Sequence, residues 1–410
     1  MNRKEFIQNA SLASAAIVFN KQVLPVVSSI SKKIQPLAIT MWDFSWLERR
    51  WNGAGYEDWD KILDDLVLRG YNAIRIDAYP HLVANDAGKE YTLLPVWDVQ
   101  DWGSPALNKV IVQPALNQFI AKCKKRSIMV GLSCWYRQDT DKVLMKIDSP
   151  EKMAENWITT LEMIEKAGLL DAILYVDLCN EWPGDLWCPF FINDPPDETW
   201  GYWFTPKSMQ FMQASIEMVR KAYPQLPLCY SLAADGASYP KYDLSFFDLL
   251  EHHLWMAQMN KDEYYKAVGY HYERFSPDGY NHLVANYEKV YNDRPDYWRR
   301  LLVEGINTVA TSAKTINKPL ITTECWGLVD FKDWPLLKWD IIKELCELGV
   351  QTAASTGQWI AIATSNFCGP QFVGMWQDVA WHQRLTSVIK QSTINQSVQQ
   401  SLIAKRLAMF

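Results

Sequence analysis

The sequence predicts an α/β fold: a (β/α)8 TIM barrel with long loops at its C-terminal face. Three observations predict it. Short apolar runs alternate with amphipathic helical stretches eight times between residues 37 and 390. Two of those runs, Tyr175-Val176-Asp177-Leu178-Cys179-Asn180-Glu181-Trp182 and Leu320-Ile321-Thr322-Thr323-Glu324-Cys325-Trp326-Gly327, reach a glutamate followed by Trp or Cys-Trp. The longest connections all fall on the strand-to-helix side. An apolar run of this length reads as a buried parallel strand. The C-terminal ends of such strands are where a β/α barrel places its chemistry.

Taken in order, the first strand is expected at residues 37–44. A helix follows at 56–69, apolar at Trp59, Ile62, Leu63, Leu66 and Leu68, with Gly70 as its stop. The second strand is 71–77, the next helix 108–126 and the third strand 128–134. A helix at 151–167 ends at Gly168 and leads to the fourth strand, 171–179. After a helix at 207–223 come a short fifth strand, 227–233, and a short helix, 245–250. Residues 252–256 end the sixth strand. A helix at 297–317 precedes the seventh strand, 319–324, and a helix at 334–348 precedes the eighth, 359–364. A helix at 381–390 closes the count. The long loops are residues 78–106, 182–205 and 257–295, and structureless loops of this length are uncommon unless functional.

Composition narrows the function. The chain has 410 residues, 49% of them hydrophobic and 21% charged, enough for a large core in a single barrel spanning residues 37–410. The net charge of −6, with no basic block, gives nucleic-acid binding no electrostatic support. The 20 Trp, 19 Tyr and 15 Phe suit both an aromatic core and a cleft for sugar rings, whose apolar faces stack on indoles. The loop after the fourth strand carries Trp187, Phe190, Phe191, Trp200, Tyr202 and Trp203 among Asn193, Asp194, Asp197 and Glu198. That mixture fits a polyhydroxylated ligand or a self-packed loop. None of the eight cysteines has metal-site spacing, and only Cys188 and Cys368 fall in loops where they could pair. Residues 1–36 read as an export leader and linker, with Arg3-Lys4 before a short apolar stretch and Ala13-Ser14-Ala15 as a cleavage site. No stretch is long enough to span a bilayer, so the expectation is an exported protein without a membrane span.

Two carboxylates on different strands are what glycosidic-bond hydrolysis needs: one protonates the leaving oxygen, the other attacks the anomeric carbon. Strands four and seven face each other across a barrel mouth. Glu181 is therefore expected as the acid/base, with a raised pKa, and Glu324 as the nucleophile, kept ionised by a nearby cation. Arg75, inside the second strand, is the candidate cation, because a buried arginine is costly unless paired. It would otherwise form an internal salt bridge with Asp77 or Asp43, acids that could also hold sugar hydroxyls. Of His252 and His253, adjacent on a strand and so on opposite faces, one is expected to face the cleft. No metal or cofactor motif is present.

Asn-Glu closing strand four, with a lone Glu closing strand seven, resembles the clan A glycoside hydrolases, which include the family 5 cellulases and mannanases. The resemblance covers residues 37 to about 390. It implies that Asn180 binds the 2-hydroxyl of the sugar in the −1 subsite, that Glu181 is the acid/base, that Glu324 is the nucleophile and that Arg75 is the arginine contacting it. The chain departs from that pattern at three places. His253-Leu254-Trp255 stands where family 5 has His-x-Tyr. Cys134-Trp135-Tyr136-Arg137 stands where a strand-three histidine is usual. The strand-eight tryptophan has only Trp359 as a candidate. The departures resemble the divergent members grouped as sugar-binding cellulase-like proteins. Trp135, Trp182, Trp255 and Trp326, all near strand ends, join Asn180, Arg75, Asp77 and His253 as candidate substrate contacts. The expected reaction is retaining hydrolysis of a β-glycosidic bond in a polysaccharide or oligosaccharide. A carbohydrate-binding barrel without turnover is the alternative. A lyase or aldolase would want a lysine or a metal cluster at the strand ends, and they carry no lysine.

Overall fold

The computed structural model describes residues 34–96, 101, 104, 106–192, 202–270 and 276–409. Residues 1–33 of the expected leader lie outside them, as do Asn193, Asp194, Asp197, Glu198 and Trp200.

Eight parallel strands form the barrel: β1 (Leu37–Met41), β2 (Ala73–Asp77), β3 (Met129–Ser133), β4 (Ile173–Asp177), β5 in two pieces (Leu228–Cys229 and Ser231–Leu232), β6 (Leu250–His252), β7 (Leu320–Thr322) and β8 (Trp359–Ala363). Each pairs with its neighbours in sequence, and β8 pairs with β1. The two pieces of β5 stand at opposite ends of the strand order, one on β4 and the other on β6, so the sheet closes through Tyr230. Every residue of β1 to β4 and β8 is buried, as strands covered on both faces must be.

The main outer helices are α1 (Trp59–Leu68), α2 (Ala115–Lys125), α3 (Pro150–Lys166), α4 (Pro206–Ala222), α5 (Pro295–Thr315), α6 (Asp340–Thr356) and α7 (Val379–Gln391). Local chemistry sets their starts. Ser149 before Pro150 and Thr205 before Pro206 each accept a hydrogen bond from the amide three residues on, while proline takes the position whose N–H has no partner. Gly357, at φ +67°, ends α6 in the left-handed cap that favours glycine.

Four expected elements differ. The helix expected from residue 108 begins at Ala115; Asn108–Ile111 is instead a strand, antiparallel to Glu90–Leu93 in the loop after β2. Pro114 explains the late start, since proline disfavours helix in the residue before it. No helix forms at 245–250, and Gly236–Lys241 supplies only a 3-10 turn between β5 and β6. The helix expected at 334–348 runs Asp340–Thr356, because Trp334 stacks on Tyr280 and the Trp339 indole bonds Asp333 ahead of the helix. The connection 257–295 holds helices Met259–Val268 and Pro277–Asp293. All eight cysteines, Cys188 and Cys368 included, are buried and unpaired.

Barrel interiors usually hold layers of branched apolar side chains. Here one layer is ionic. Arg75, Gly131 and Tyr175 are register partners on β2, β3 and β4, and Ser231 and Glu251 are partners on β5 and β6. Gly131 makes the room: a Cβ there would lie 2.5 Å from Cε1 of Tyr175. The tyrosine hydroxyl thereby crosses the barrel to Glu251, 2.5 Å away. Gly131→Ala is expected to destabilise the fold by about 1–3 kcal/mol through overpacking. Urea unfolding measures it, and an unchanged midpoint would mean that Tyr175 has space to spare.

Candidate active site

Above the ionic layer, the strand ends open into a cleft of about 1240 Å³ whose lining includes Asn180, Glu181, His253, Trp255, Glu324 and Trp135. Each glutamate sits just past the end of its strand. Glu181 follows β4 at φ 48°, a left-handed conformation that costs a non-glycine residue about 1–3 kcal/mol. Its N–H donates to Ser231 Oγ at 2.9 Å, which anchors the turn. Glu324 follows β7, its side chain only 7% exposed against 15% for Glu181.

Arg75 reaches up from β2 with six side-chain oxygens around its fork. Nη1 donates to Glu324 at 3.0 Å and to Thr323 at 3.0 Å. Nη2 lies 2.6 Å from Asp177, 2.7 Å from Asn180 Oδ1, 3.0 Å from Ser133 Oγ and 3.1 Å from Ser231 Oγ. Burial alone disfavours the guanidinium charge, but Glu251, Asp177, Tyr175 and Glu324 outweigh it and keep the group charged. Trp135 covers one side, its ring centroid 4.6 Å from the guanidinium carbon. Arg75 therefore pairs with Asp177 and Glu324, not with Asp77 or Asp43.

His253 Nδ1 lies 3.0 Å from Glu181 Oε1 and 3.7 Å from Glu324 Oε1. Burial by itself would lower its pKa. Glu324, with the contacts to Glu181 and Glu251, overcomes that and holds it up to about 10. His252 behaves oppositely: burial lowers it to about 3, and its Nδ1 faces the Tyr239 hydroxyl at 2.6 Å.

The cluster thus sets two cations, Arg75 and His253, against four acids, Glu181, Glu324, Glu251 and Asp177. Excess negative charge favours proton uptake by a carboxyl. Glu324 is raised to about 7, first by burial and then by Glu181, against the pull of His253 and Arg75. The expectation of a nucleophile held firmly ionised is corrected accordingly. One oxygen of Glu181, one of Glu324 and a ring nitrogen of His253 lie within 4.8 Å of one another. That spacing would admit a cation, but Arg75 and charged His253 already supply the positive charge there.

The remaining candidates divide. Trp255 lines the cleft, and its indole N–H has no partner among the described residues. Asp77 is fully buried and turned to the backbone, accepting from Tyr79 N at 2.7 Å and Trp135 N at 3.0 Å. Trp182 and Trp326 are core. Trp182 stacks on Phe211 and bonds Ser208; Trp326 packs against Gly349 of α6 and donates to the Ala363 carbonyl. Trp359 is buried as well. Of the aromatics in the loop after β4, Trp203 is fully buried, whereas Tyr202 is 51% exposed and lines the cleft with Trp187.

Sequence reasoning missed Asp177 and Glu251. The available signal was strand alternation: Asp177 and Tyr175 share a face of β4, and Glu251 lies two residues before His253.

A family model described as sugar-binding cellulase-like matches residues 39–390. A crystal structure of a provisionally assigned glycoside hydrolase from Parabacteroides distasonis is 58% identical, with a TM-score of 0.90, covering 92% of this chain and 100% of that one. The endocellulase of Pyrococcus horikoshii is 14% identical at a TM-score of 0.47, over 86% of this chain and 92% of its own. The catalytic domain of the major endoglucanase of Xanthomonas campestris is 13% identical at 0.46, over 87% and 96%. No curated protein matches the sequence significantly. Among the described residues, no helix is long and apolar enough to cross a membrane. With an eight-stranded parallel barrel and a family match over most of its length, this chain belongs to the sugar-binding cellulase-like family.

Proposed function

We propose that the protein is a retaining glycoside hydrolase that cleaves a β-glycosidic bond in an oligosaccharide by double displacement. One observation carries the reading: carboxylate oxygens of Glu181 and Glu324 lie within 4.8 Å of each other at the barrel mouth. Retaining enzymes hold their two carboxyl groups about 5–5.5 Å apart, whereas inverting enzymes need about 6.5–9.5 Å to admit a water. Glu324, the deeper of the two and paired with Arg75, attacks the anomeric carbon. Glu181, the more exposed, protonates the leaving oxygen and then activates water. Asn180, with its carbonyl oxygen on Arg75, is placed to hold a sugar hydroxyl, and the Trp255 N–H offers a second donor.

The cleft exceeds the roughly 300–1,000 Å³ that hold a drug-sized ligand, so it has room for several sugar units. Tyr202 offers an exposed ring for stacking a sugar away from the point of cleavage. An exported location would suit such a substrate.

Turnover of a panel of aryl β-glycosides and β-linked oligosaccharides tests the reading. Attack requires ionised Glu324. Because the group is raised to about 7, the acid limb of kcat/KM is expected to have its midpoint near that value, and loss of the proton from the general acid sets a separate alkaline limb. Below it, the rate falls roughly tenfold per pH unit. Full activity at pH 5 would contradict the assignment of Glu324. Absence of turnover on every member of the panel, with sugar binding retained, would favour a binding-only barrel.

A further inference from the structure

His253 does not stand alone between the catalytic glutamates. Behind it, Glu251 is buried inside the barrel, and its Oε1 lies 3.6 Å from His253 Nε2, an ion-pair distance. The carboxylate is fixed from two further strands: Thr323 Oγ1 donates to Oε1 at 2.6 Å and the Tyr175 hydroxyl donates to Oε2 at 2.5 Å. These contacts make a continuous chain, Tyr175–Glu251–His253–Glu181, running from the barrel interior to the floor of the cleft. Glu251 has no place in the cleft lining and cannot serve as a direct sugar contact.

A buried carboxylate in a barrel core is expensive unless it is paired, and the cations that compensate Glu251 are Arg75 and His253. We propose that Glu251 is a positioning residue whose negative charge keeps His253 doubly protonated, so that the imidazolium donates to Glu181 and lies against Glu324. The proposal rests on the reading of Glu181 and Glu324 as the catalytic pair.

The other groups around this chain do not replace Glu251. From β2, Arg75 Nη1 lies 3.5 Å from His253 Nε2, and its positive charge opposes protonation of the ring. On β4, Tyr175 and Asp177 face Glu251, and on β5 Cys229 lies near it as a neutral thiol pushed up by burial. His252, beside His253, is kept neutral by burial. Glu181 and Glu324 are the remaining anions, and both change charge or position during the proposed reaction. Glu251 is the counter-ion that stays ionised throughout. Burial alone would raise it, but Arg75 and His253 together hold it at about 2. With Glu251 fixed, a proton moving onto or off Glu181 leaves the imidazolium in place.

The test reads the histidine directly, without turnover. In the full chain with nitrogen-labelled histidine, the His253 ring signals are assigned by their loss in His253→Gln. Wild-type His253 is expected to remain doubly protonated at pH 8. In Glu251→Gln, which keeps the shape and hydrogen-bonding reach, its titration midpoint falls by at least about one pH unit. In Glu251→Asp, which keeps the charge, the midpoint returns toward the wild-type value. The alkaline limb of kcat/KM moves down with the midpoint in Glu251→Gln. Should that variant fail to fold, Glu251→Met, which also removes the charge, carries the same test. A His253 midpoint unmoved in the folded variant, or a wild-type His253 that loses its proton below pH 7, overturns the proposal. Because the NMR readout needs no substrate, an inactive protein with a charged His253 would sink the hydrolase reading and leave this one standing.

Discussion

Replacing Glu324 by glutamine is expected to reduce kcat/KM by roughly 10⁴-fold or more, the scale seen when a covalent nucleophile is removed. The carboxamide keeps the size and a hydrogen-bonding oxygen for Arg75 but cannot attack. Glu181→Gln is expected to behave differently, and that difference makes the pair diagnostic. Loss of a general acid costs about 10²–10⁴-fold when the leaving group needs a proton. An aryl glycoside with a strongly acidic phenol needs none, so its first step is spared and the glycosyl-enzyme accumulates as a burst. Azide, which needs no general base, is expected to restore turnover in a Glu181→Ala variant and to give a β-glycosyl azide. Equal losses on both classes of substrate would argue against the assigned roles. Folded protein is confirmed in each case by the unfolding midpoint.

The second large effect concerns Arg75. Its guanidinium is enclosed by six side-chain oxygens from four strand ends, and it joins Asp177 to Glu324 at 2.6 and 3.0 Å. Arg75→Met leaves two buried acids without their cation. Breaking a buried pair from one side costs about 3–5 kcal/mol, because the surviving charge stays desolvated. Activity falls too, since Glu324 loses the charge that opposes its protonation. The acid limb of kcat/KM is expected to move above pH 7. Arg75→Lys keeps one charge but loses the planar fork and cannot span both acids, so it recovers only part of the stability. Urea unfolding and the pH profile measure the two consequences separately. A Met variant with wild-type stability would mean that Asp177 and Glu324 take up protons without cost.

These particulars show what the sequence made legible. Covered parallel strands are apolar on both faces, so β1 to β4, β7 and β8 announce themselves as runs, with ends misplaced by a few residues. A glutamate at the end of such a run is conspicuous, which is why Glu181 and Glu324 could be named from the chain alone. Arg75 stood out for the same reason, as a charge between two isoleucines. Its partners were harder to read. Asp177 sits inside the run that ends at Glu181, and β4 and β2 meet only through β3 and the barrel interior. Glu251 escaped because only the end of strand six, 252–256, is legible as a run, one residue too late to show that Glu251 shares a face with His253.

Trp182 and Trp326 mark the opposite failure. Proximity to a candidate catalytic residue in sequence does not give proximity in space, because neighbouring side chains leave a strand end in different directions. Trp182 turns behind the barrel wall onto Phe211, and Trp326 turns onto α6. The loops were least legible: aromatic content alone did not separate Trp203, which is core, from Tyr202, which faces the cleft.

The central claim is that Glu324 forms a covalent bond to sugar while Glu181 acts beside it. Labelling with a panel of activated 2-fluoro-β-glycosides tests it most directly, since the fluorine slows release of the glycosyl-enzyme. One member of the panel is expected to inactivate the protein in a time-dependent way. Peptide mass analysis then finds one 2-fluoroglycosyl group, on Glu324, and the sugar that labels identifies the subsite preference. Labelling of any other residue, or a folded protein that hydrolyses β-glycosides with inversion and no label, would contradict the account.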